Sequence, residues 1–193
     1  MRGDTVIVAI DPGHGMNSAN LGLYDPGACA AGFIEAAITL DYGLTLKYLS
    51  PKGEFDTQLL RENDHTGLHY TQRAKYAEDH DCDMFVSLHL NADTSTRANG
   101  VEVLYRDSTK DKPLAVAVQR ELVQTTGFSN RGVKQRRDLA VLKFRSGPAV
   151  LIELGFITNE QNRKWLIDRD NRIAVCAAIV RVLKPYEGEQ DDG

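Results

Sequence analysis

The chain has 193 residues, 42% of them hydrophobic, with a formal net charge of -4 and a pI near 5.7. That length gives one domain with room for a proper core, and the acidic balance argues against a nucleic-acid binder, which would show a basic face. Cys29, Cys82 and Cys176 are widely spaced and form no CxxC pattern, which argues against a disulfide framework or a thiolate metal site, and no apolar run reaches the length of a membrane span.

In chain order, TVIVAI (5–10) is a nearly continuous apolar run, which predicts a strand buried on both faces. It runs into DPGHG (11–15), which places His14 between two glycines at the strand's C-terminal end, the rim where α/β folds keep their sites. The segment 33–49 sets Phe33, Ala37, Leu40, Leu44 and Tyr48 at helical steps, predicting a helix that starts near Gly32 and ends at SPKG (50–53). Glu35 falls in its first turn, where a glutamate taken alone is a dipole-compensating surface residue. FDTQLL (55–60) alternates and suits an outer strand. His65 and His69 stand four apart, but Gly67 and their polar surroundings indicate a turn rather than a ligand pair.

DMFVSLHL (83–90) is a second apolar run, carrying His89 with Asn91 just beyond it. VEVLY (101–105) reads as an outer strand, with LAVL (139–142) as a further candidate. A helical pattern follows Pro113 and stops at Gly127. AVLIEL (149–154) is the third apolar run and holds Glu153, a charge that is costly there without a partner. That partner could be Arg61 or Arg73; alternatively, Glu153 is a proton-transfer group. TNE (158–160) resembles a helix cap, and Ile173, Val175, Ala177, Ile179 and Val180 mark a last helix closed by Pro185. The expected fold class is α/β: a single three-layer domain (1–186), with a mostly parallel, about six-stranded mixed sheet flanked by helices, and an acidic tail (187–193).

The DPGHG turn, GFIEAAITL around Glu35, the S-x-H-x-N-A of 87–92 and the P-A-V-L-I-E-x-G-F-I-T-N of 148–159 occur in that order. Together they resemble the zinc-dependent N-acetylmuramoyl-L-alanine amidases, a family of bacterial and phage cell-wall hydrolases. The likeness spans about 5–182. It implies one zinc ion (Zn2+) held by His14, Glu35 and His89 with a position open to water. It also implies Glu153 as the catalytic acid–base, and peptidoglycan as the substrate, cut at the amide joining N-acetylmuramic acid to L-alanine. Asn91 would orient substrate or cap its loop. Arg131 and Lys134 would contact the acidic stem peptide or remain ordinary solvated charges.

The short loop 93–99 has no room for the helical plug that some cell-division members of the family carry, so the site is expected to be open. The N-terminus shows no charged-then-apolar leader. The expectation is therefore a monomer made in the cytoplasm, with no membrane insertion and no nucleic-acid partner. It would reach the wall by holin-type release as a phage or prophage lysin, or have had its leader removed. Two rival readings remain open here. One is a zinc exopeptidase or amidohydrolase of similar fold, with Asp11, Asp25 and Asp64 available for a second metal. The other is a non-catalytic wall-binding module, which would be expected to lose Glu153 or a ligand.

Overall fold

The computed structural model describes residues 5–16 and 23–184. Pro185 and the acidic tail lie outside the described residues. Strand β1 (Val6–Pro12) leads into two short ladders, β2 (Gly15–Met16) with β3 (Tyr24–Asp25) and β4 (Cys29–Ala30) with β5 (Phe33–Ile34). Then come α1 (Glu35–Leu49), β6 (Phe55–Leu59), α2 (Tyr70–Asp79), β7 (Met84–Asn91), β8 (Val101–Tyr105) and α3 (Lys112–Thr126). The chain continues through β9 (Asn130–Gln135), a 3-10 turn (Val141–Lys143), β10 (Ala149–Phe156), α4 (Glu160–Ile167) and α5 (Arg169–Leu183).

The main sheet has six strands in the order β6-β1-β7-β10-β8-β9. Strands β6, β1, β7 and β10 run parallel; β8 is antiparallel to β10, and β9 runs with β8. The sheet is thus α/β, mostly parallel and mixed. One face packs Val8, Ile10, Leu88 and Ile152 against Tyr42 and Leu46 of α1, Leu114 and Val118 of α3 and Ile179 of α5. The other face packs Ala9, Phe85, Leu104 and Leu151 against Ala74 and Ala77 of α2 and the Val141–Phe144 turn region. Among the described residues no helix is long and apolar enough to cross a membrane.

Three local expectations change. Helix α1 begins at Glu35 rather than near Gly32, because Phe33 and Ile34 pair with Ala30 and Cys29. That start turns a different face inward: Ala36, Ile38, Tyr42 and Leu46 are buried, while Leu44 is exposed and Tyr48 is 86% exposed. The segment 139–142 is no strand; it enters the 3-10 turn and buries Val141 and Leu142. The outermost strand is instead the charged β9, whose exposed polar residues suit an unpaired edge. β8 accordingly lies inside the sheet, with all five residues buried.

The caps agree with the sequence. Gly127 closes α3 in the left-handed region at φ 65°. Asn159 Oδ1 accepts from Asn162 N at 3.0 Å to start α4. His69 is itself the N-cap of α2, with Nδ1 2.6 Å from Thr71 Oγ1.

Candidate metal centre

Side chains alternate across a strand, so on the face that carries Ala9, Phe85, Leu104 and Leu151 the next positions toward the rim are Asp11, Ser87, Glu102 and Glu153. His89 follows Ser87. Register makes this a row: Glu153 pairs with His89 on β7 and with Glu102 on β8. This half of the face is polar, and the site is built on it.

His14, Glu35 and His89 converge there. Each offers one ligand atom, and the three atoms lie within 4.8 Å of one another. Glu35 Oε1 is 3.1 Å from His14 Nε2 and 3.0 Å from His89 Nδ1. Donors about 2.0–2.1 Å from a tetrahedral ion stand roughly 3.3 Å apart, so the two Glu35 separations suit a metal-binding set. Space is kept for it by glycine. A Cβ on Gly13 would lie 2.4 Å from the His89 ring, and one on Gly27 would lie 2.7 Å from Glu35 Oε2.

Each ligand is held from behind. Asp25 Oδ2 sits 2.8 Å from His14 Nδ1, which fixes the ring and leaves Nε2 for the centre. His14 itself is left-handed at φ 63°, uncommon for a residue with a side chain. Arg73 Nη2 donates to the His14 carbonyl at 2.8 Å, while Arg73 Nη1 pairs with buried Asp11 at 2.8 Å. Asp11 also accepts from Ser87 Oγ at 2.7 Å. Arg61 donates to the carbonyls of Pro12, Gly13 and Ala36, tying the turn to α1. Glu35, far from being a surface residue, is 3% exposed. Its carboxylate also accepts from the backbone N–H groups of Ala28 and Leu90 at 2.9 Å each.

The electrostatics follow from this packing. Burial alone would raise Glu35, but the bonds and charges of His14 and His89 outweigh it and hold the carboxyl well below its usual range. Burial alone would lower His14, yet Glu35 and then Asp25 lift it to about 9. Glu153 goes the other way. Burial pushes it up to about 7, with the nearby charges of Glu35 and Glu102 adding to the effect and His89 opposing it. Its Oε2 is enclosed and has no hydrogen-bond partner among the described residues. Arg61 and Arg73 are engaged at the DPGHG turn and do not neutralise it.

Asn91 donates to Glu102 Oε1 at 2.9 Å and accepts from Ala92 N at 2.9 Å. Arg131 and Lys134 are exposed residues that both bind Glu102 Oε2, Arg131 through Nε at 3.1 Å. Glu102 and Asp25 therefore join the site without having been singled out for it. The sequence offers Asp25 only as a possible second-metal ligand; among the described residues a single potential metal group occurs.

A sequence profile described as N-acetylmuramoyl-L-alanine amidase matches residues 8–184. The chain is 35% identical over 169 residues to the N-acetylmuramoyl-L-alanine amidase LytC of Bacillus subtilis, covering 85% of this chain and 32% of that protein. It is 32% identical over 190 residues to the probable cell wall amidase LytH of Staphylococcus epidermidis, covering 96% and 59%. The chain thus spans a third to three fifths of the length of these relatives. Among solved structures, the catalytic domain of the amidase CwlV from Bacillus (Paenibacillus) polymyxa superposes with a TM-score of 0.83 at 28% identity, covering 94% of this chain and 98% of that one. The amidase AmiC2 of Nostoc punctiforme also gives 0.83, at 30% identity, covering 96% and 98%.

Proposed function

The chain belongs to the N-acetylmuramoyl-L-alanine amidase family, and from that membership we propose that it is a zinc-dependent hydrolase of the amide between N-acetylmuramic acid and L-alanine in peptidoglycan. The observation that carries the reading is the convergence of His14, Glu35 and His89 beside an enclosed glutamate whose acidity has been weakened. His14, Glu35 and His89 would hold one zinc ion. Bound there, zinc would supply Lewis acidity toward the carbonyl and make water acidic enough to be deprotonated near neutral pH.

The remaining work falls to the chain's own residues. Asp25 keeps His14 in the tautomer that turns Nε2 inward. Glu153, lifted to about 7, is suited both to accept the proton of the attacking water and to return it to the departing L-alanine amine. Asn91 acts on the substrate side through its bond to Glu102. Retention of all four residues supports an active enzyme over a wall-binding module, and the single metal group among the described residues favours an amidase over a two-metal exopeptidase.

Residues 92–100 join β7 directly to β8, which supports an open site and, with it, a lytic role on the cell wall. Digestion of purified peptidoglycan tests the proposal. Stem peptides with a new L-alanine amino terminus should appear, a chelator should stop their release, and no new reducing ends should form. New reducing ends would reassign the protein as a glycosidase, whose chemistry uses two flanking carboxylates and no metal. For the lytic role, co-expression with a membrane-permeabilising holin should lyse cells; intact cells would remove that role.

A further inference from the structure

Glu102 is a buried carboxylate, 7% exposed, in the same cross-strand row as Glu153. One cation would neutralise it. It has two, Arg131 and Lys134, and a third donor in Asn91 Nδ2. The cluster therefore carries a surplus positive charge one strand away from the glutamate assigned as acid–base. Its geometry is equally specific. Glu102 takes only Nε of Arg131, and the guanidinium carbon lies 4.8 Å over the Phe156 ring, fixing its plane. Among the described residues neither terminal nitrogen of Arg131 has a protein acceptor. Those two nitrogens form the fork that matches a carboxylate in bidentate fashion.

From this arrangement we propose that Arg131, braced by Glu102 and Phe156 and assisted by Lys134, binds a free carboxylate of the peptide that leaves in the reaction. The inference rests on the amidase reading and names what the leaving side of that site recognises. Reach decides which carboxylate. The row His89–Glu153–Glu102 covers two strand spacings, roughly 10 Å. An extended peptide advances about 3.3–3.6 Å per residue, so the carboxylate belongs to the second or third residue after the cleaved amide. A purely structural Arg131 would serve only to neutralise Glu102, which Lys134 already does, and would leave its fork to solvent.

The test uses three synthetic muramyl tripeptides: one with free carboxylates on residues two and three, one amidated at residue two, and one amidated at residue three. With the zinc-loaded parent protein, one of the two amidations should raise KM roughly ten- to hundredfold, the range for losing a charged hydrogen bond, with kcat far less affected. Which amidation does so identifies the residue bound. In Arg131→Gln the acid-to-amide KM ratio should fall to within about twofold, and in Lys134→Gln it should fall partway. Arg131→Lys keeps the charge but not the fork; it should also lose most of the ratio, and it replaces the glutamine variant if that fails to fold. A parent ratio near one, or a variant that slows acid and amide equally while keeping the ratio, would overturn the assignment. Failure of the loaded parent to cleave any of the three would instead overturn the amidase reading on which it stands.

Discussion

Glu153 and Glu102 stand directly opposite one another on adjacent antiparallel strands, a placement that two like charges ordinarily make unfavourable. The structure resolves it asymmetrically. Glu102 receives Arg131, Lys134 and Asn91, whereas Glu153 Oε2 receives no partner among the described residues and its acidity weakens. One carboxylate is ion-paired and the other is left able to exchange a proton near neutral pH.

Replacing Glu153 with Gln should leave bound zinc unchanged while lowering turnover by ~10²–10⁴-fold. The same substitution carries a stability signature in the metal-free protein. Because folding raises this pKa from 4.5 to about 7, the wild-type side chain favours the folded state below 4.5 and loses that contribution as pH rises through 7. Glu153→Gln should therefore melt above the parent at pH 8, with the gap closing toward pH 5. Equal melting temperatures at both pH values would remove the burial argument, and near-parental turnover would move the proton-transfer role elsewhere.

Metal uptake should depend on pH through His14. Its folded pKa is raised from 6.5 to about 9, so the contribution of its ion pairs to metal-free stability is complete below 6.5 and lost as pH climbs through 9. Zinc must displace that proton. Apparent affinity should then rise about tenfold per pH unit between those values and level off above them. Asp25→Ala should weaken zinc binding by ~10–100-fold and move the plateau to lower pH, since one of the partners that raise His14 is gone. Competition against a chelating indicator across the pH range measures both.

Gly13→Ala is expected to disable the centre without replacing a ligand. The new methyl would lie 2.4 Å from the His89 ring, so the imidazole must leave its position. Zinc content should fall sharply, with a stability loss of about 1–3 kcal/mol from overpacking. Metal analysis of the purified variant, with circular dichroism to confirm the fold, decides it; full zinc occupancy would contradict the geometry.

Arg73→Met removes the cation from Asp11, which is 1% exposed. A buried charge stripped of its partner costs about 3–5 kcal/mol, and the double variant Asp11→Asn/Arg73→Met should recover much of that loss. Denaturant unfolding of the single and double variants measures the difference. Activity should fall in both, because the His14 carbonyl loses its Arg73 donor as well.

The three apolar runs ending near His14, near His89 and at Glu153 determined a great deal by themselves. Continuous hydrophobicity between polar stops is what a strand buried on both faces requires, so β1, β7 and β10 were legible, and parallel pairing then puts both histidines on one rim. Caps were legible too, because Asn159 and Gly127 act on neighbours a few residues away. What could not be read locally was every feature whose partner lies far along the chain. The buried face of α1 is set where Glu35 meets His89, 54 residues on. Glu102 is tolerable inside the sheet only because Arg131 and Lys134 arrive 29 and 32 residues later. β9, mostly polar and exposed, is a strand because an open edge beside β8 accepts it, not because its own pattern demands it. Hydrophobic period is a property of a segment, but the cost of burying a charge depends on what the rest of the chain brings to it, and only the tertiary structure decides that.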